Sequence, residues 1–306
     1  MLGPIIETLI GGLLTGVLYA LVALGFVLIF KASGVFNFAQ GAMVLFAALA
    51  VARLSEKMPL PVAVVLAIVI MILLAYAIEF LVLRRLVNQE GIVLFMSTLG
   101  IAYFLEGIGQ TLWGSDIYKI DLGISKNPIF LFQSTFPGGI LINPEEVAAA
   151  VICGILVIVL AVFFQVTRVG RALRAVADDH QAAQSVGIPL NYIWLIVWAA
   201  SGIVAVAAGM IWGSKLGVQF SISLVALKAL PVLILGGLTS IPGAIVGGLI
   251  IGAGEKLAEI VLGPYLISWF DLAGGGIENW FAYMLALLFL LVRPQGLFGE
   301  RIIERI

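Results

Sequence analysis

The stretch "LKALPVLILGGLTSIPGAIVGGLIIGAGEKL", residues 227–257, decides the fold. It is apolar enough for a membrane interior, yet Pro231, Gly236-Gly237 and Pro242-Gly243 interrupt it. A single ordinary helix does not carry that many breaks, because proline removes a backbone hydrogen bond and glycine weakens the helix entropically. A piece such as 224–237 rises only about 21 Å as a helix, short of the ~30 Å hydrocarbon core. Two short helices around a bend at 238–243 are therefore expected. Irregular backbone of this kind survives at membrane depth only where protein or a wet cavity surrounds it.

The rest of the chain has the same character. Of 306 residues, 62% are apolar and 11% charged, with a mean hydropathy of +1.20. A soluble domain carries about 25% charged residues, so most of this chain does not face water. The expected fold is an all-α polytopic membrane protein with about eight transmembrane segments, some broken or re-entrant. They fall at 8–30, 38–54, 60–83, 92–113, 146–166, 192–212, 224–256 and 280–292. One transmembrane domain over 1–306, with a polar cytoplasmic loop at 167–190, accounts for the whole length. The opening "MLGPIIETLIGG" has no positive n-region and no small-residue cleavage site, so it reads as a retained helix. Cys153 is the only cysteine, which excludes an intrachain disulfide. The net charge of -1 and the lack of a basic patch give no sign of nucleic acid.

Orientation follows from the arginines. Arg84 and Arg85, then Arg168, Arg171 and Arg174, then Arg293, Arg301 and Arg305 are assigned to the cytoplasm. Asp116, Asp121, Glu145 and Glu146 are assigned to one opposite loop, and Glu255, Glu259, Asp271 and Glu278 to another. The count closes if 224–256 enters and leaves on the same side, with the N-terminus outside. An internal echo supports a transporter: "VLIF" before "QGAMV" (27–44) and "VLIL" before "PGAIV" (232–246). Two interrupted segments in corresponding halves point to a transport pathway.

Polar groups in apolar surroundings are the candidate pathway residues. Asn37, Gln40 and Gly41 lie in "GVFNFAQG" between two apolar runs, where Asn37 also suits the cap of the next helix. Lys228 sits near the start of the seventh segment, at a depth where it either serves the pathway or snorkels to the headgroups. Glu106, in "AYFLEGIG", reads as a buried functional carboxylate, whereas Glu79 is close enough to Arg84 for an interfacial role. No catalytic or metal site emerges: His180 is the lone histidine, and no lysine precedes Ser or Thr, so there is no Walker A loop. Any ATP must be bound by another chain. The loop "TRVGRALRAVADDHQAAQSVGIP" is the most informative polar segment. Its middle reads as a short helix with an apolar side (Ala172, Leu173, Val176, Ala182, Ala183, Val186), ended by Gly187-Ile188-Pro189. A docking element for a partner's groove fits that pattern.

These residues together resemble the LivH-type permease subunits of ABC importers for branched-chain amino acids. The resemblance rests on "GLLTGVLYALVALGFVLIF" with "GVFNFAQG", on "GRALRAVADDHQAAQSVGI", on "LKALPVLILGGLTSIPGAIVGGLIIG" and on the closing "FLLVRPQGLFGE", in that order. It implies ATPase coupling through Gly170, Arg171, Arg174, Ala175, Asp179, Ala182, Ala183 and Gly187. It places the pathway less firmly at Asn37, Gln40, Gly41 and Lys228. It also implies a bacterial inner-membrane assembly with a second homologous permease, two ATP-binding subunits and a periplasmic binding protein. The loop at 114–145 and "DLAGGGIENW" (271–280) depart from the simplest form of the pattern. The rival expectation is a stand-alone secondary transporter with Glu106 or Lys228 in a proton relay.

Overall fold

A computed structural model describes residues 2–87, 89–125, 127–133, 139–270 and 276–299. Asp271, Arg301 and Arg305 lie outside the described residues. Among the described residues, twelve helices and one hairpin follow in order: α1 (Leu2–Ser33), α2 (Gln40–Ser55), α3 (Leu60–Leu81), α4 (Gly91–Trp113), β1 (Ile129–Leu131), β2 (Ile140–Ile142), α5 (Pro144–Val166), α6 (Arg168–Asp178), α7 (His180–Ser185), α8 (Leu190–Leu216), α9 (Val225–Lys228), α10 (Leu230–Gly236), α11 (Ile241–Phe270) and α12 (Ile277–Val292). Single 3-10 turns lie at Leu83–Arg85 and Phe220–Leu224. The chain forms two compact units. One joins Met1–Ala23, Gly123–Ile155 and Lys228–Ile306; the other joins Leu24–Leu122 and Leu156–Leu227.

In the second unit, α2 packs on α3, α4 and α8, and α3 packs on α8. Apolar residues surround α2 on every side, so its whole length from Gln40 to Ala52 is buried. Small residues set the spacing. Ala63, Ala67, Met71 and Ala75 repeat every fourth position on α3 and are all buried, a flat stripe that lets backbones approach. On α8, a Cβ added at Gly209 would lie 2.6 Å from the Val44 carbonyl oxygen.

In the first unit, α10, α11 and α12 pack together, and the start of α1 joins α11 through glycines. A Cβ at Gly12 would lie 2.7 Å from the Gly252 carbonyl oxygen, and one at Gly248 would lie 2.6 Å from that of Gly16. The chain after α12 turns back onto the end of α10. Leu297 N–H donates to the Leu235 carbonyl (2.8 Å) and Phe298 N–H to that of Gly236 (3.1 Å), pairing carbonyls that a helix end leaves open.

The bend expected near 238–243 is present: Phe220–Gly236 and Ile241–Leu266 meet at 113°. Its second limb is not short, however. α11 continues to Phe270, 30 residues in all, about 45 Å at helical rise. Glu255 and Glu259 therefore lie within a helix and not in the loop to which their charge assigned them. Among the described residues, five other helices have the length and composition of membrane spans, and the bent pair, a broken span or a re-entrant loop, is at most a sixth. Gln40–Ser55 and Trp280–Val292 are apolar but shorter, so helix length and composition do not by themselves confirm the expected count of about eight.

Candidate functional site: two buried polar clusters and a capped polar loop

The break between α1 and α2 is filled by protein. Gly34 N–H caps the Phe30 carbonyl (2.7 Å) with the positive φ of 69° that such a turn requires. Trp194 Nε1 donates to the Ala32 carbonyl (3.1 Å) from the start of α8. Phe26, Phe36, Phe38 and Phe95 form a run of ring contacts with centroids 4.7, 4.8 and 4.9 Å apart. Thr98 Oγ1 accepts from Phe38 N–H (3.3 Å).

Behind these rings, Asn37, Gln40 and Ser201 are fully buried. Gln40 Oε1 accepts from Ser201 Oγ (2.6 Å) and from Asn37 Nδ2 (3.4 Å). Asn37 Oδ1 accepts from Ala39 N–H (3.1 Å); the N-cap of α2 is Ala39, with no side-chain cap bond. Gln40 Nε2 has no partner among the described residues, and Gly25 leaves it room, since a Cβ there would lie 2.5 Å from it. Gly41 admits the Ser223 carbonyl against the backbone of α2, where a Cβ would collide with it. Asn37, Gln40 and Gly41 thus come together in one place.

Glu106 does not join them. α4 buries Leu94, Thr98, Ile101, Leu105 and Gly109, and Glu106, one step round the helix from that face, is half-buried. Glu79 is a buried carboxylate of this unit, 4% exposed, with Oε1 unpartnered among the described residues. The signal was in the sequence: Glu79 continues the stripe Ala63, Ala67, Met71, Ala75 by four more residues.

A second polar cluster occupies the other unit. Lys256 Nζ donates to Glu278 Oε2 at 2.7 Å and lies 3.7 Å from Glu259. Lys228 Nζ approaches the other oxygen of Glu278 at 4.0 Å. Next to Lys256 in the chain, Glu255 is buried and accepts a hydrogen bond from the Tyr19 hydroxyl of α1. Ionisable side chains at this depth need such partners. Sequence reasoning missed Glu255, Lys256 and Tyr19 because the pattern ended the seventh segment at residue 256. Beside the cluster, a cavity of about 230 Å³ is lined by Glu7, Leu14, Asn143, Glu146, Lys256 and Glu259 among others.

The loop after α5 is two helices, α6 and α7, hinged at Asp179. Thr167 Oγ1 caps Gly170 N–H (3.2 Å). Arg174 donates to the Phe164 and Gln165 carbonyls (2.9 and 3.3 Å), and Arg171 to that of Val166 (3.2 Å). Both arginines therefore close the open end of α5. Gly170 lies against the Phe164 backbone, where a Cβ would collide. Asp179 Oδ1 accepts from Ala182 N–H (3.0 Å), and Gly187, at φ 86°, ends α7 as Ile188 N–H bonds the Ala183 carbonyl (3.0 Å). The apolar side is largely spent within the chain: Leu173, Val176 and Ala183 are buried. Ala175 is half-buried, and Ala182 and Val186 stay exposed.

Residues 8–293 match the family described as branched-chain amino acid transport system / permease component. The chain belongs to this family. Relatives of the permease family cover it almost end to end. One is the high-affinity branched-chain amino acid transport system permease protein BraD of Pseudomonas aeruginosa, 28% identical over 98% of each chain. Another is the LivH protein of the same description from Escherichia coli, 26% identical over 98% of this chain and 97% of its own. A probable branched-chain amino acid transport permease protein LivH from Methanocaldococcus jannaschii is 28% identical over 94% and 91%. The chain is thus a multi-pass permease component of a transporter.

Proposed function

We propose that this chain is the membrane-spanning permease subunit of an ABC importer that moves leucine, isoleucine or valine inward. The observation that carries the reading is the family match over residues 8–293, joined by permease relatives of full length. The assembly comprises this chain, a second homologous permease, two ATP-binding subunits and a periplasmic binding protein, in a bacterial inner membrane. ATP binds the partners, and no cofactor belongs to this chain.

In this reading residues 167–190 meet the ATPases on the cytoplasmic side. Gly170, Arg171 and Arg174 hold α6 to the end of α5, so a push on the loop reaches a membrane span. Asp179, Ala182, Ala183 and Gly187 shape the shorter α7, and Ala175 lies between. Alternating access needs an element with two arrangements, and the broken pair α10–α11 suits it. Asn37, Gln40, Gly41, Glu106 and Lys228 are the pathway residues proposed, Gln40 and Lys228 first because Gln40 centres one polar cluster and Lys228 borders the other.

Uptake of labelled leucine, isoleucine and valine, before and after deletion of this chain's gene in its host, tests the reading. Loss of all three, restored by the intact chain, is expected. Unchanged uptake of these with loss of an amide, urea or another amino acid overturns the substrate assignment.

A further inference from the structure

We propose that the hairpin β1–β2 is a membrane-surface anchor whose outer strand sits among lipid headgroups and the upper acyl chains. Residues 127–133, "NPIFLFQ", carry no charge. Antiparallel pairing sets Ile129 opposite Ile142, Phe130 opposite Leu141 and Leu131 opposite Ile140. Ile140 is buried, so β2 is the strand held against its unit. β1 is bare on both faces: Ile129, Phe130, Leu131 and Phe132 are 43–62% exposed. Water is a poor solvent for such an uncharged edge, which invites pairing with other chains.

The height of the hairpin identifies its occupant. Only Asn143 separates β2 from Pro144, the first residue of the membrane span α5. Leu141 N–H donates to Glu7 Oε2 (3.0 Å), and Glu7 stands in the first turns of the span that begins at Gly3. Two spans therefore start at the hairpin. A three-residue strand reaches roughly 10 Å, comparable with the roughly 5–8 Å of headgroup region on each side of the hydrocarbon. Further along α5, Val151, Ile152 and Ile155 are exposed as well. Aromatic and aliphatic side chains at this boundary gain by entering the interface.

The test places single nitroxide labels on the full chain in phosphatidylcholine–phosphatidylglycerol liposomes. Cys153, buried in α5, is replaced by Ala, and Phe130→Cys, Phe132→Cys, Val151→Cys and Arg171→Cys are labelled one at a time. Collisions with oxygen are compared with collisions with a water-soluble nickel chelate. Oxygen is expected to dominate several-fold at 130 and 132, as at 151, with the reverse at 171. Nickel collisions dominating at both hairpin sites overturn the proposal, because the strand then faces water. Low collision with both reagents overturns it too, because a protein partner then covers the strand.

Discussion

Gln40 concentrates the chemistry of the first break in one side chain. Its carbonyl holds Ser201 at 2.6 Å, while its amide nitrogen has no described partner. Leaving a buried acceptor unsatisfied costs ~1–3 kcal/mol, whereas removing both partners of a hydrogen bond is nearly neutral. Ser201→Ala leaves that oxygen only the long bond from Asn37 (3.4 Å) and is expected to lower the unfolding midpoint of the detergent-purified protein by up to that equivalent. The double variant Gln40→Met/Ser201→Ala is expected to recover part of the loss, since Asn37 Nδ2 then gives up its bond to Gln40. If the pair also serves the pathway, uptake stays low in the double variant although part of the stability returns; full uptake assigns it to packing. Lys256 is the corresponding residue in the other unit, held by Glu278 and Glu259. Its side chain is 39% exposed, so Lys256→Met is expected to cost on the order of 1–3 kcal/mol, between the exposed and buried limits. Glu278→Met should cost less in the Lys256→Met background than alone, measured as a coupling energy in a double-variant cycle.

At the scale of elements, helices meet where side chains are missing. A Cβ at Gly252 would run into the backbone of α1 at Gly12 and Gly16, whereas one at Gly107 of α4 would meet nothing within 4 Å. Gly252→Ala is expected to destabilise by ~1–3 kcal/mol through overpacking. Gly107→Ala should be neutral or slightly stabilising, since alanine favours a helix; a thermal melt of both variants decides. Gly187 holds a left-handed conformation that costs another residue roughly 1–2 kcal/mol. Gly187→Ala should therefore fray α7, lowering uptake while the amount of folded protein in the membrane stays near normal. The long helices were legible in the sequence because apolar runs of membrane length admit few alternatives. Glu79 was legible too, through the four-residue stripe of α3, and was passed over because Arg84 offered a simpler partner. The length of α11 was hidden by Glu255, Lys256 and Glu259, charges that read as a helix end until Glu278 and Tyr19 are seen to pair with them from elsewhere in the chain. The hairpin left no signal, since three-residue strands are too short to show a period.

For the molecule as a whole, the two compact units cut across helices. α1 and α5 each contribute residues to both, so a span in this protein belongs to two bodies at once. The break before α2 is packed by aromatic rings of its own unit, and the bend before α11 by backbone of its own, with Gly237 against Gln295 and Gly299. Arg171 and Arg174 tie the polar loop to the end of α5, the place where the proposed function needs a force to enter. The reading as an energy-coupled permease requires that force to come from outside the chain. The measurement that tests it most directly is gentle solubilisation of the tagged chain from its native membrane, mass spectrometry of what remains bound, and transport by that preparation in liposomes. Two P-loop ATPases and a second permease, with amino-acid uptake that stops when ATP is withheld, are the predicted result. A chain recovered alone, transporting under a proton gradient without ATP, would contradict it.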